Sequence, residues 1–301
     1  MDKVMDKAEK RNEFPCEYLE GTAGEELLQS YIEKVIRDSR LWDCRGINVP
    51  WFRGQTDGRQ SPVPAVFRRF NTREEGRYDE YWLSAIFRNR APAFGETPEN
   101  RDDLDKWLFL MQHVGIPTRL LDWTESALAA LFFAVNNLEK ATNPAIWMLN
   151  PVALNHVSLG FNEGLQEEAV KSDTDCYPNT WSKGSKSYEN IRLAFLHPAE
   201  RNNCRPSHKP LAIQLTYCHP RMSVQKGCFT IHGLREEGFE EIFGPDSALF
   251  QKKFFRKYVI RRQDVPKIYE KLKTFGITHS AIYPDIYGLA KELKERFWYP
   301  R

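Results

Sequence analysis

The sequence lacks the features that mark membrane, secreted and zinc-binding proteins. Its longest apolar run, residues 127–135, is far shorter than the roughly 20 residues that a transmembrane helix needs. The N-terminal residues carry mixed charges with no apolar core behind them, which predicts no secretory signal. The six cysteines form no CxxC pair, so we expect reduced thiols in a cytoplasm and no zinc site.

The sequence also lacks an excess of charge and the common nucleotide and protease motifs. It holds 43 basic and 41 acidic side chains, so binding to nucleic acid would need a local basic patch. No GxGxxG follows a predicted strand, and neither a P-loop nor HExxH is present. No cluster of acidic residues indicates the metal site of a nuclease. We therefore expect no metal.

The stretch from Met111 to Val135 predicts the centre of the domain. Apolar residues at helical spacing before Gly115 predict a helix that ends at this glycine. Residues 118–122 are expected to form a short buried strand. Thr124 is the predicted N-cap of a helix over residues 125–137, whose alanines and apolar stripe indicate burial on nearly all sides.

The remaining segments predict an α+β fold. Helices are predicted over residues 25–38, 266–275 and 285–296, strands over 51–53, 145–149, 211–215 and 222–232, and a glycine-containing loop over 54–58. Residues 1–20 are expected to be a polar extension, and residues 155–209 a variable insertion or long loop. Strands and helices mix without a repeated βα period, which predicts a single domain over 21–301 with a mixed or antiparallel sheet.

Three charged features have more than one interpretation. Arg119 and Asp122 would be costly to bury unless they pair with each other or face a cleft. His113, at a helix end, either binds a backbone carbonyl or takes part in chemistry. The basic cluster at 252–262 is either a solvated edge strand or a phosphate contact.

The sequence resembles the FRG domain family, which is named for a Phe-Arg-Gly signature. The pattern QHxGxPTRLLDWT is present from Gln112 to Thr124, and Phe52-Arg53-Gly54-Gln55 stands earlier in the chain. Further similar segments are Leu131 to Ala134, Gln225 to Thr230, Tyr283-Pro284-Asp285 and Gly288-Leu289-Ala290. The resemblance covers roughly residues 45–150 and 208–295 in the order that the family has.

More remotely, these features resemble those of ADP-ribosyltransferases. That resemblance implies an ADP-ribosyltransferase-like fold and NAD as substrate. A forked guanidinium matches the pyrophosphate of NAD better than an ammonium does, so Arg53 is the predicted anchor. The resemblance implies further cofactor contacts from Gln55, Arg119, Thr124 and Phe229, and catalytic roles for His113, Asp122 and Gln225.

One position departs from the pattern of many ADP-ribosyltransferases, which use a glutamate on a late strand. The strand that looks equivalent here offers Gln225, and the next glutamate is Glu236. Either Asp122 or Glu236 takes over the role of the carboxylate, or the protein binds NAD-like ligands without transfer.

Two functions are therefore expected. The first is an effector or toxin, acting in bacterial phage defence, that transfers ADP-ribose from NAD to nucleic acid, with RNA ahead of DNA and protein behind both, and that a neutralising antitoxin protein restrains. The second is a non-catalytic module that contacts nucleic-acid phosphates or a partner through Arg53, Arg119 and the 252–262 cluster.

Overall fold

A computed structural model describes residues 15–42, 49–68, 78–95, 98, 100–139, 141–160, 176–178, 184–214 and 220–298. The strands are β1 (Glu17–Tyr18), β2 (Trp51–Gln55), β3 (Leu120–Thr124), β4 (Ala145–Leu149), β5 (Leu211–Ile213), β6 (Gly227–Ile231) and β7 (Phe255–Val259). They form one seven-stranded sheet in the order β1-β7-β4-β2-β3-β6-β5. All neighbours are antiparallel except the parallel pair β1 and β7. The predicted α+β class with a single mixed sheet is confirmed.

Helices cover the sheet and join its strands. They are α1 (Gly24–Leu41), α2 (Glu80–Arg90), α3 (Leu104–His113), α4 (Ala127–Val135), α5 (Pro151–Leu159), α6 (Lys186–Leu193), α7 (Pro220–Gln225), α8 (Phe239–Ile242), α9 (Ala248–Gln251), α10 (Val265–Thr274), α11 (His279–Ile282) and α12 (Ile286–Arg296). Helices α1, α4 and α10 share a large apolar core with β4 and β7, and α3 and α6 share a smaller one with β5 and β6. No helix among the described residues is long and apolar enough to cross a membrane.

Helix α4 is the central helix that the sequence predicts. Six of its residues are buried, including Ala130 and Ala134, one turn apart. These small residues let β2 approach closely: a Cβ at Gly54 would lie 1.9 Å from the Ala130 carbonyl oxygen and 2.7 Å from the Ala134 amide nitrogen. The third position of the Phe-Arg-Gly segment therefore requires glycine, because the backbone of α4 occupies the space that a side chain would need.

The register around α4 corrects two sequence predictions. Strand β3 begins and ends two residues later than the predicted 118–122, because its ladder with β6 runs from Leu120 opposite Ile231 to Thr124 opposite Gly227. Thr124 is not the N-cap of α4. Ser126 holds that position and accepts a hydrogen bond from the Ala129 amide at 3.2 Å.

Two further strand predictions are corrected by tertiary pairing. Residues 54 and 55, expected in a loop, continue β2 because they pair with Ile146 and Ala145 of β4. The predicted strand over 222–232 begins only at Gly227, and helix α7 precedes it. Lys226 separates the two elements with a positive φ of 46°, a conformation that local periodicity does not reveal.

The sequence suggested an edge strand as one interpretation of the basic cluster at 252–262. The structure shows that this strand is not at an edge of the sheet. Strand β7 lies between β1 and β4. Arg256 faces buried Asp38 at 3.4 Å and Lys257 pairs with Glu240 at 2.9 Å, so the middle of the cluster is used inside the fold. The exposed lysines 252 and 253 and arginines 261 and 262 stand at opposite ends of the strand.

The chain ends and the predicted insertion are described only in part. Residues 1–14, 161–175 and 179–183 lie outside the described residues. Within the predicted extension, β1 pairs with β7 and Leu19 is buried. Within residues 155–209, the end of α5, helix α6 and a 3-10 helix over Pro198–Asn203 replace the predicted loop. The predicted helices near 25–38, 266–275 and 285–296 are confirmed as α1, α10 and α12.

Candidate active site

A cavity of about 510 Å³ lies where β2 and β3 separate. The two strands share a single pair, Phe52 opposite Thr124, and diverge beyond it. We call this cavity the β2–β3 cleft. Its lining consists of Phe52, Arg53, Gly54, Phe109, Gln112, His113, Gly115, Asp122, Trp123, Thr124, Phe133, Arg221, Met222, Gln225, Gly227 and Phe229. Six of the eight predicted site residues meet here: Arg53, His113, Asp122, Thr124, Gln225 and Phe229.

Arg53 reaches across the separation between the strands. Its Nη1 donates a hydrogen bond of 2.6 Å to the backbone carbonyl of Asp122. Its Nε is buried and has no hydrogen-bond partner among the described residues. Burial lowers the pKa of Arg53 to about 10; Asp122 opposes this shift, and Arg68 adds to it. The group stays cationic at neutral pH and keeps donor capacity in the cleft.

Asp122 is the carboxylate among the described cleft residues, and a chain of hydrogen bonds holds its side chain in position. Its Oδ2 accepts a hydrogen bond of 2.9 Å from the Gln112 side-chain amide. The Gln112 oxygen accepts in turn from the Thr118 hydroxyl at 2.6 Å. Because Thr118 is buried and also accepts from the Leu120 amide at 3.1 Å, this chain orients Asp122 from the start of β3.

The hydroxyl and amide candidates are already engaged in holding the cleft together. Thr124 is buried; its hydroxyl donates to the Gln225 carbonyl and accepts from the Ser126 amide at 2.9 Å. The Gln225 side-chain amide donates to the Ile282 carbonyl at 3.0 Å. Both residues line the cleft, and both tie its wall to neighbouring elements.

Aromatic rings form the apolar side of the cleft. Phe109 packs edge-to-face on Phe229 with ring centroids 5.6 Å apart, and it stacks on His113 at 6.2 Å. His113 is the last residue of α3, which Val114 caps before Gly115 turns the chain with a positive φ of 85°. A flat ring entering the cleft would meet aromatic surface beside a cationic group.

Gln55 and Arg119 lie outside the β2–β3 cleft. Gln55 lines an adjoining cavity of about 930 Å³ that shares Arg53, Gly54 and Phe133 with the cleft. Glu236, the alternative carboxylate, lines that second cavity with Glu237 and Glu241. Arg53 therefore stands at the junction, with Asp122 on one side and Glu236 on the other.

Arg119 is buried in an ion pair with Glu80, and the predicted pair with Asp122 is wrong. Arg119 Nε donates to Glu80 at 2.8 Å, Nη2 donates to the same carboxylate, and Nη1 donates to the carbonyls of His232 and Gly233, each at 3.1 Å. The guanidinium also lies 5.6 Å from the centre of the Phe67 ring. We call this group the Arg119 corner. Its arginine lines neither cavity.

Two cleft residues with polar side chains, Gln112 and Arg221, were missed by the sequence analysis. Gln112 stands inside the motif that begins QHxG, so its identity was visible although its contact with Asp122 was not. Arg221 gave no signal, because it stands just before the predicted strand over 222–232 and the helix that carries it was not predicted. It lies on α7 with its guanidinium 4.5 Å from the centre of the Tyr283 ring, and gives the cleft a second cationic side chain.

The cleft lies largely in the part of the chain that a known family model covers. The FRG domain model matches residues 48–143. This match supports the FRG resemblance and includes Arg53, Gln112, His113, Asp122 and Thr124. Arg221, Gln225 and Phe229 lie beyond the FRG match. No curated protein and no solved structure matches the chain.

Proposed function

We propose that the protein binds NAD in the β2–β3 cleft and transfers ADP-ribose to a macromolecule. The observation that carries the proposal is the guanidinium of Arg53, which lines a cleft with an aromatic wall and makes one hydrogen bond among the described residues. A guanidinium held this way gains charge-assisted hydrogen bonds when a pyrophosphate enters. Arg221 adds a second cation, and the rings of Phe109 and Phe229 offer a surface for nicotinamide or adenine.

In the proposed reaction, the bond between ribose C1′ and the nicotinamide nitrogen breaks, and nicotinamide leaves as a neutral molecule. A bond then forms between C1′ and a nucleophilic atom of the acceptor, which gives up its proton. Asp122 is the proposed group that stabilises the oxocarbenium-like state, by analogy with glycoside hydrolysis. His113 is the proposed acceptor of the proton.

The proposed acceptor is nucleic acid, with RNA ahead of DNA and protein behind both. The exposed Lys252, Lys253, Arg261 and Arg262 are the candidate phosphate contacts. A cytoplasmic effector or toxin restrained by a neutralising protein, with a role in phage defence, completes the proposal. Among the described residues, the thiols of Cys204 and Cys228 are not joined in a disulfide, which fits a reducing compartment.

A second candidate is a non-catalytic module that binds NAD-like ligands. It is favoured by one observation: Gln225 stands where a catalytic glutamate was sought, and its amide is bonded to the Ile282 carbonyl. Calorimetry with NAD and chromatographic detection of free nicotinamide separate the candidates. Binding with release supports transfer or hydrolysis, binding without release in the presence of RNA, DNA and protein supports the module, and absence of NAD binding refutes both.

The acceptor is tested with NAD labelled in the adenylate group and total cell extract. Label that nuclease removes and protease does not supports a nucleic-acid acceptor. Label that survives nuclease and is lost with protease refutes it.

Asp122→Asn is expected to reduce nicotinamide release while the Kd for NAD changes little, and the matched variant Glu236→Gln is expected to retain release. The opposite result would assign the carboxylate to Glu236.

Arg53→Lys is the sharpest variant of the anchor. Lysine keeps the charge but not the parallel donors, and a displacement of about 1 Å costs on the order of 10²-fold in rate, so we expect nicotinamide release to fall by about that factor. Arg40→Lys, an exposed change in the last turn of α1, is the matched control. Full release by a folded Arg53→Lys protein would remove Arg53 from the site.

A further inference from the structure

Arg53 stands at the boundary between two cavities. The cavity that adjoins the β2–β3 cleft has a volume of about 930 Å³, against about 510 Å³ for the cleft, and the two share Arg53, Gly54 and Phe133. We call the larger one the second cavity. Residues from the segments 55–68 and 236–241 form the rest of its lining. Because the guanidinium of Arg53 lines both cavities, a ligand bound to it can extend to either side.

The second cavity brings a further arginine close to Arg53. Arg68 lines this cavity, and its Nε donates a hydrogen bond of 3.1 Å to the Val63 carbonyl. Burial is the main cause of the lowered pKa of Arg53 and Arg68 adds to it, so the two guanidiniums lie within electrostatic reach of each other. An anion between them would relieve their repulsion and accept hydrogen bonds from both. The pair therefore fits a phosphate-bearing ligand.

The carboxylates of the second cavity do not give it an excess of negative charge. Four carboxylates line it, and two of them form ion pairs of 3.0 Å with arginines beside the cavity, Glu237 with Arg235 and Asp57 with Arg59. These two arginines, together with the two that line the cavity, match the carboxylates in number. A diphosphate at the arginine pair would therefore enter a region of balanced charge.

The rest of the second cavity offers surfaces for a nucleoside. Phe67 and Phe133 contribute aromatic rings, and the Arg119 guanidinium lies 5.6 Å from the centre of the Phe67 ring. A base stacks on a ring of this kind. Glu241 accepts a hydrogen bond of 2.7 Å from the Ser61 hydroxyl. Since a carboxylate has about four acceptor sites, Glu241 keeps the capacity to accept from ribose hydroxyls.

We propose that the second cavity binds the adenosine diphosphate group of NAD, with the two phosphates between Arg53 and Arg68 and the adenosine beyond them. The nicotinamide ribose then lies in the β2–β3 cleft, beside Asp122 and the aromatic wall. A dinucleotide fits because its diphosphate is central, as Arg53 is central to the two cavities. A mononucleotide, whose phosphate is terminal, would fill only one of them. The identity of the nucleoside rests on the proposed function, whereas the diphosphate site rests on the two arginines.

The first experiment compares ligands of the full chain by isothermal titration calorimetry. ADP, which lacks the nicotinamide ribose, should bind and should compete with NAD. It should bind at least about tenfold more tightly than inorganic pyrophosphate, because only ADP fills the cavity beyond the arginine pair. Equal binding of pyrophosphate and ADP would overturn the placement of the nucleoside, and absence of ADP binding would overturn the site.

Two substitutions at exposed positions locate the bound ADP. Arg68→Met removes one cation of the pair and should weaken ADP by about tenfold. Arg40→Met, in the last turn of α1, is the matched control. Gln60→Trp fills the second cavity without a change of charge, so it should weaken ADP by about tenfold or more and leave nicotinamide mononucleotide unaffected. Unchanged ADP binding in either folded variant would overturn the assignment.

A substitution in the cleft gives the converse result. Arg221→Met removes a cation that lines the β2–β3 cleft and does not line the second cavity. It should weaken nicotinamide mononucleotide by about tenfold and change ADP binding little. Loss of ADP binding in this variant, with nicotinamide mononucleotide unaffected, would place the adenosine in the cleft and overturn the proposed orientation.

The outcomes separate this inference from the proposed function. NAD binding that ADP does not displace would overturn the site in the second cavity and leave NAD binding intact. Binding of ADP that depends on Arg68, without binding of NAD, would support the diphosphate site and refute the proposed function. A short RNA that displaces ADP and loses its own binding in Arg68→Met would assign the arginine pair to nucleic acid and contradict the inference.

Discussion

Two arginines from the motifs that resemble the FRG family lie in opposite kinds of environment. In the Arg119 corner, the guanidinium is bonded to a carboxylate and two carbonyls, and it lies against the Phe67 ring. In the β2–β3 cleft, Arg53 makes one hydrogen bond among the described residues and leaves a buried Nε without a partner. Each nitrogen of Arg119 is bonded within the fold, and its loss would leave Glu80 buried and unpaired, whereas Arg53 makes fewer bonds and can still donate to a ligand.

The largest difference between the two regions should appear in stability. Arg119→Met leaves Glu80 buried without its counter-ion, so we expect the free energy of unfolding to fall by about 3–5 kcal/mol, measured by urea denaturation. Adding Glu80→Leu to the same chain should recover much of the loss, because no charge then remains buried. A loss below about 1 kcal/mol in the free energy of unfolding of the single variant would contradict this expectation, because the Arg119–Glu80 pair would then contribute no more than an exposed ion pair.

The close contact beside Arg53 gives the next largest effect. Gly54→Ala places a methyl group against the backbone of α4 at Ala130, and overpacking of this kind costs about 1–3 kcal/mol, measured by the same denaturation. Gly227→Ala is the matched control, since its added Cβ would have no neighbour closer than 3.8 Å. Equal losses in both variants would mean that the contact with α4 is not the cause.

The Arg119 corner should also respond to acid through His232. Burial, opposed by a hydrogen bond to the Glu237 carbonyl, lowers the pKa of His232 from 6.5 to about 3. Between these two pH values, His232 therefore binds a proton in the unfolded chain but not in the folded chain. The contribution of His232 to stability is complete above pH 6.5 and is lost as the pH falls from there toward 3.

From pH 7 to pH 5 this loss amounts to about 2 kcal/mol in the free energy of unfolding. His232→Gln should show a shallower pH dependence than the natural chain, followed by urea denaturation at each pH. Parallel pH profiles for the two proteins would contradict the assignment. Arg53 adds no slope in this range, because its pKa near 10 keeps it charged throughout.

The smallest change in stability is expected at Arg53. Arg53→Met removes one hydrogen bond to the Asp122 carbonyl, which can then bond to water in the cleft, so the free energy of unfolding should change by less than about 1 kcal/mol. The measurement is denaturation beside Arg119→Met under identical conditions. A loss as large as that of Arg119→Met would make Arg53 a structural residue and abolish the contrast.

Local sequence patterns predicted the structure correctly wherever the residues of a single segment determine it. The stop of α3 before Gly115, the buried central helix and strand β4 over Ala145–Leu149 all follow from periodicity and turn chemistry. Six of the eight side chains chosen from the motifs also line one cleft. The neighbours that complete the cleft, such as Arg221, gave no local signal.

Contacts between distant segments decided the rest. The β6 ladder placed β3 two residues later than predicted, and β4 extended β2 through Gly54 and Gln55. Glu80, 39 residues before Arg119, took the place of Asp122 as its counter-ion.

The sequence by itself determined the class of fold, the central helix and the residue types of the cleft, since these depend on hydrophobic spacing and on chemistry that each residue carries. Only the tertiary structure decided which arginine is satisfied and which is open to the cleft. Those outcomes depend on hydrogen-bond partners far along the chain, and a buried charge follows its partner rather than its neighbours in sequence.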